Sequence, residues 1–145
     1  MKNKCGPLEN MCKIYCDTCV YRDIFEGRKG KYRDFDEFAL NLLHKVKEKQ
    51  YKLVISDWVY EELKKHNFGE DFKRLIKTFE EEHLINVEVT PKDKVEARKL
   101  SSSNYPDALH VILAKKANAI YLVTRNLKDF TEFRDVIEIA LPESL

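Results

Sequence analysis

Hydrophobic positions along this chain alternate between short continuous runs and longer stretches at helical spacing, and each run precedes such a stretch. Residues 11–17 are apolar with a charged end and read as a first strand that carries Asp17 to its carboxyl edge. Thr18–Glu26 continues as a helix, broken by the basic, glycine-flanked loop 27–31, whose simplest role is a solvated turn. From Asp34 or Asp36 a helix runs to about Gln50, with Phe35, Phe38, Leu42, Leu43 and Val46 on its core face. Residues 53–55 form a second strand, and Ser56 or Asp57 caps a helix over 58–66. A further helix spans about 68–82 and ends in Glu80, Glu81 and Glu82, read as a solvated face. A third strand covers 83–89. Pro91 then starts a helix through Val95 to Leu100, which stops in Ser101, Ser102 and Ser103. Pro106 suits the first helical position of the next helix, with Asn104 or Tyr105 near its cap, and Asp107 falls in the first turn. Strands at 120–124 and 136–139 complete the series. Strands alternating with helices imply an α/β fold, a three-layer α/β/α sandwich with a mostly parallel sheet.

At 145 residues the chain is the size of one domain and needs neither metal nor disulfide merely to hold a core. Residues 1–10 read as an N-terminal extension and 11–145 as a single domain. Its 26 basic and 25 acidic residues leave a net charge of +1, so affinity for nucleic acid through bulk charge is not expected, although a local basic patch is compatible with it. No run reaches transmembrane length and the start lacks the apolar core of a signal peptide, so a cytoplasmic location without membrane attachment is expected.

Cys5, Cys12, Cys16 and Cys19 cluster in a way that invites a zinc reading. Along a strand, however, Cys12 and Cys16 stand roughly 13 Å apart at ~3.3 Å per residue, too far to share an ion or a bridge. They fit better as small buried hydrophobes, with a single bridge from Cys5 to Cys12 or Cys19 left open.

Helical phase separates the two neighbouring glutamates. Val59 and Leu63 define the inward face; Glu62 lies on its flank, while Glu61 points away, four residues before Lys65, as a surface ion-pair partner. Three acids, Asp17, Glu62 and Asp107, thus follow a strand or open a helix, where one sheet edge brings them together. Taken singly, each has an ordinary explanation as a turn, surface or first-turn residue. Converging carboxylates need a cation, and oxygen ligands favour Mg²⁺ or Mn²⁺, which activate water and neutralise charge on a phosphodiester. Thr124, Asn126 and Asp129 leave the sheet on the same edge, where ligands of open α/β sheets collect.

The conjunction resembles the PIN domain nucleases along nearly the whole chain. Cys16-Asp17-Thr18-Cys19-Val20 resembles that family's opening strand and first acid, and Ser56 through Glu62-Leu63 its serine and second acid. Asp107 through Ala114 resembles its third acid and alanine, and Thr124-Arg125-Asn126-Leu127-Lys128-Asp129-Phe130 its closing threonine motif. The resemblance implies strand order 3-2-1-4-5, a Mg²⁺ or Mn²⁺ site at the carboxyl edge, and endonucleolytic cleavage of RNA. Many relatives are VapC-like toxins restrained by an antitoxin, and others serve in RNA processing. Asp17, Glu62, Asp107, Asn126 and Asp129 are then the expected metal ligands, with Thr124 and Asn126 orienting water or those ligands.

Two positions depart from the pattern. Asn126 stands where the family commonly has a fourth acid, and Cys19 where many relatives carry a small polar residue, which would make the site oxidation-sensitive. RNA, single-stranded or structured, is the expected partner, contacted through Arg22, Arg28, Lys29, Lys31, Arg125 and Lys128, with an antitoxin protein and a second copy of the chain as further partners. The alternative is a catalytically weak or inactive PIN-fold module that binds RNA or regulates. A phosphatase of the haloacid dehalogenase type would need an aspartate where Cys19 stands, and a receiver-like phosphoacceptor would need paired acids beside the first strand.

Overall fold

Strand β1 (Lys13–Cys16) occupies the middle of the sheet because Ile14, Tyr15 and Cys16 are all buried and can be covered on both faces. It pairs in parallel with β2 (Lys52–Ser56) on one side and β4 (Tyr121–Val123) on the other. Strand β3 (Leu84–Val87) adds to β2 and β5 (Glu138–Ala140) to β4, again in parallel. The order is therefore 3-2-1-4-5, as expected, in an α/β fold whose five strands are all parallel. This computed structural model describes residues 11–30 and 34–145.

Between β1 and β2 run helices α1 (Thr18–Glu26) and α2 (Phe35–Lys47). Helices α3 (Asp57–Lys65) and α4 (Gly69–Ile76) lie between β2 and β3, and α5 (Pro91–Leu100) and α6 (Tyr105–Lys116) between β3 and β4. Right-handed crossovers put α1–α4 on one face of the sheet and α5–α6 on the other, because the order reverses direction after β3. The reversal makes the gap between β1 and β4 the topological switch point, and there the two strands deliver Asp17 and Thr124.

Local chemistry sets the helix ends. Asp17 Oδ1 accepts from the Thr18 amide at 2.7 Å to start α1, and Gly27, at φ 60°, closes it in the left-handed region where glycine carries no Cβ penalty. Ser56 Oγ accepts from the Val59 amide to start α3, while Thr90 and Asp93 cap α5 reciprocally. Pro106 is the second residue of α6 rather than the first. Asn104 precedes the helix, but its side-chain amide donates to the Asp129 carbonyl instead of capping.

Several expected elements prove shorter. Helix α4 stops at Ile76 instead of running to 82, and Glu81–His83 forms a separate 3₁₀ turn; the Thr78 hydroxyl donates to the Leu75 carbonyl at the helix end. Strand β3 ends at Val87 because the Val89 amide turns to the Asp57 carboxylate at 3.0 Å. Strand β5 begins only at Glu138, since the amides of Val136 and Ile137 both donate back to the Phe133 carbonyl. Glu61 is exposed as expected, but no ion pair joins it to Lys65, whose ammonium lies 5.7 Å from the centroid of the Trp58 ring. Cys12 and Cys16 are both buried, but Cys12 is disulfide-bonded rather than a plain apolar residue, whereas Cys16 and Cys19 carry free thiols, which excludes a bridge through Cys19; Cys5 lies outside the described residues. Among the described residues no helix is long and apolar enough to cross a membrane.

Candidate active site

Asp17 is fixed before anything binds to it. Its amide donates to the Val123 carbonyl at 2.8 Å, continuing the β1–β4 pairing, and the side chain is almost wholly buried. While Oδ1 caps α1, Oδ2 accepts from the Thr124 hydroxyl at 3.0 Å and the Cys19 thiol at 3.2 Å. Thr124 is fully buried, and its oxygen also accepts the Asn126 amide at 3.0 Å. Its hydroxyl hydrogen is thus directed at Asp17, which gives Thr124 the means to hold that carboxylate in place.

Glu62 reaches the same place from α3, on the flank that helical phase assigned to it. Its Oε1 accepts from the Thr18 hydroxyl at 2.5 Å and faces His110 Nε2 at 2.7 Å. Thr18 follows Asp17 directly, so one turn of α1 joins the two acids.

His110 was not among the residues the sequence singled out. It lies fully buried on α6, with Nε2 facing Glu62 and also 3.5 Å from Asp17 Oδ1, and Nδ1 2.7 Å from the Tyr15 hydroxyl. Tyr15 in turn lies 2.8 Å from Ser56 Oγ, so a hydrogen-bonded line runs from the α3 cap through the central strand to Glu62. Its apolar neighbours, Leu109, Val111 and Ile112, make His110 look like a core residue. The one available signal is its place three residues after Asp107, on the same helix face.

Electrostatics follow from this packing. Burial pushes the His110 pKa down, but the hydrogen bond and charge of Glu62, then the charges of Asp17 and Asp107, raise it above the ordinary histidine value. Burial pushes Glu62 up, but His110 and then the Thr18 hydroxyl more than offset this and hold its carboxyl below the ordinary range. Asp107, half-buried, moves the other way, to about 6, through burial and the charge of Asp17, with His110 opposing and Asp129 adding to the rise.

One ligand atom each from Asp17, Glu62 and His110 lies within 4.8 Å of the others. Asp107 is not in that group, although its charge is felt there. The donor set fits a divalent cation. The carboxylates of Asp17 and Glu62 stand together with His110 Nε2 within 3.5 Å of both, while burial and then the charge of Asp17 raise the pKa of Asp107 to about 6. The expectation of oxygen ligands alone changes accordingly, because a nitrogen donor stands among the carboxylates. An apolar hollow of about 540 Å³, lined by Ile55, Tyr60, Phe72, Ile76 and Val87, opens elsewhere, and none of the three acids lines it.

The remaining candidates are placed less centrally. Asn126 Oδ1 accepts from Arg125 at 3.1 Å, so the amide oxygen already faces a cation. Asp129 is exposed. Arg125 is held by the buried Asp23 at 2.8 Å and lies over the Phe35 ring. Arg22 and Arg28 share Glu26, and Lys29 pairs with Asp36, all near the surface. Lys128 is exposed, and Lys31 lies outside the described residues.

No family model matches the sequence, and no curated protein does. Among solved structures, a chain of VapBC2 from Rickettsia felis, bound to a DNA fragment from their promoter, is similar. The TM-score is 0.55 at 17% identity, covering 89% of this chain and 96% of that one. Likeness at that identity is one of fold, and the parallel 3-2-1-4-5 sheet flanked by helices matches the PIN-like fold of that neighbour.

Proposed function

We propose that this chain is an endoribonuclease of the PIN type that depends on a divalent metal. The observation that carries the reading is the meeting of Asp17 and Glu62 at the topological switch point, joined by Thr18 and His110, with Asp107 one turn before His110. Asp17, Glu62 and Asp107 would hold Mg²⁺ or Mn²⁺, with Asn126 and Asp129 at its margin. A cation bound there supplies an activated water and neutralises charge building on the phosphodiester.

The protein's own groups do the positioning. Thr124 holds Asp17, and His110 together with Thr18 holds Glu62, so both carboxylates keep one orientation when substrate arrives. Arg22, Arg28, Lys29, Arg125 and Lys128 are the cations for RNA phosphates. The pairs of Arg22, Arg28 and Lys29 lie near the surface, where solvent screening leaves such pairs weak, so a phosphate can replace their partners. VapBC2 is a complex bound to promoter DNA, and the likeness of fold supports an antitoxin-like protein as a partner of this chain, which itself would act as a homodimer.

A second reading, a PIN-fold module with weak or no turnover, is favoured by one observation. Asn126 stands where the resemblance expects a fourth acid, and its amide oxygen accepts from Arg125 at 3.1 Å, which weakens metal binding at that margin. One experiment separates the two: cleavage of single-stranded RNA in Mn²⁺, in EDTA, and by Asp17→Asn. The nuclease reading expects cleavage only in the first. Equal cleavage in EDTA would overturn metal dependence, while a Mn²⁺-induced rise in melting temperature without cleavage would select the binding module.

A further inference from the structure

At the opposite edge of the sheet, where β3 begins, the 3₁₀ turn Glu81–His83 leads into the strand. His83 is only 2% exposed, and its Nε2 is buried with no hydrogen-bond partner among the described residues. A buried polar atom left unpaired costs about 1–3 kcal/mol. The nitrogen faces Glu82 Oε1 at 3.7 Å, and a Glu80 carboxylate oxygen completes a set of three donors lying within 4.8 Å of one another. The His83 amide donates to the Glu80 carbonyl at 2.9 Å, so the backbone turn itself holds the three residues together.

We infer that Glu80, Glu82 and His83 form a second metal site, separate from the central acids, for a late first-row divalent cation such as Zn²⁺. Donor chemistry selects the ion: a neutral imidazole with two carboxylates suits zinc or its neighbours better than Mg²⁺ or Ca²⁺, which take oxygen. Two donors on one tetrahedral zinc stand about 3.4 Å apart at bond lengths of about 2.1 Å. The observed 3.7 Å therefore needs only a small adjustment, and the Glu82 side chain, 61% exposed, is free to make it. Glu80 is exposed too, so water can fill the remaining position, and the imidazole gains the partner it lacks. The ion fastens the turn to the edge strand. Its role is structural, and it stands whether or not the central site cleaves RNA.

The test uses untagged protein titrated with Zn²⁺ alone, followed by calorimetry and by the ¹⁵N resonances of the histidine side chains. The protein should show a shift of His83 Nε2 on binding one equivalent. In Glu80→Gln/Glu82→Gln, whose changes are confined to exposed side chains, that shift should vanish and the affinity of that equivalent should fall at least tenfold. Absence of any His83 response, or an unchanged response in the double variant, would overturn the site. A Zn²⁺ response confined to His110 would likewise overturn it and assign the ion to the central cluster instead.

Discussion

The imidazole of His110 lies 2.7 Å from the carboxylate of Glu62, although 48 residues separate them in sequence. His110 is fully buried and Glu62 partly so, and each partner shifts the other toward its charged form. Removing one leaves a buried charge without its counterpart. His110→Ala should therefore destabilise the protein by about 3–5 kcal/mol in urea denaturation, and His110→Gln by less, because an amide keeps one hydrogen bond. If His110→Ala is as stable as the parent, the pairing carries no weight.

The same pair sets a pH window. The folded pKa of His110 is raised, so its contribution is complete below the unfolded value near 6.5 and is lost as pH rises through the folded value. The folded pKa of Glu62 is lowered, so its contribution is present above its unfolded value and disappears on acidification through the folded one. The stability difference between the parent and His110→Gln should peak in mildly acidic to neutral buffer and shrink toward both extremes. A flat difference from pH 4 to 10 would contradict this.

Asp107 behaves in the opposite sense. Its pKa, raised to about 6, means that the folded state binds the proton more tightly, so ionising it between about pH 4 and 6 weakens the fold. Without metal at pH 8, Asp107→Asn should be more stable than the parent by about 1–2 kcal/mol after allowance for solvent screening, a few degrees in melting temperature. Saturating Mn²⁺ should reverse the order, since only the carboxylate gains from the cation. Thermal scans with and without Mn²⁺ at two pH values test both halves.

Glu61 and Glu62 differ by about 100° of helix phase, and the structure places one in solvent and the other on His110. Glu62→Gln should abolish RNA cleavage. Glu61→Gln should keep it within about twofold and leave stability within about 0.5 kcal/mol. A dead Glu61→Gln enzyme would relocate the active site.

Asn126→Asp would place a carboxylate beside Arg125, which already leans on Asp23. The new acid pairs with that guanidinium first, so the gain in Mn²⁺ affinity by calorimetry should be only a few-fold. It should grow when Arg125→Gln is added. Equal gains in the two backgrounds would show that Arg125 does not compete.

What the sequence disclosed depended on whether the cause was local. Asp17 was readable because a strand end and a helix start coincide there, and Glu62 because Val59 and Leu63 fix its phase. Strand order came from the motif resemblance and was matched by the pairing. His110 was hidden by its surroundings: amid Leu109, Val111 and Ile112 nothing local shows that its ring meets Tyr15 and Glu62, 95 and 48 residues away. Element ends were misplaced for a similar reason, since the Val89 amide prefers Asp57, 32 residues earlier, to a strand neighbour. At Lys65, helical spacing permitted Glu61, yet the Trp58 ring prevailed.

Helix α6 carries both Asp107 and His110, and it packs against α5, while Asp17 belongs to the middle of the sheet. Native proteins open in cooperative pieces, and a hairpin of two helices on one face is a natural piece. If α5–α6 lifts as a unit, an acid and the imidazole leave together, while Asp17 stays pinned by the Val123 carbonyl. Amide hydrogen exchange would then report the assembly of the cluster directly. Protection in α6 should rise when a cation is added, whereas the Asp17 amide should exchange only with global unfolding in either state.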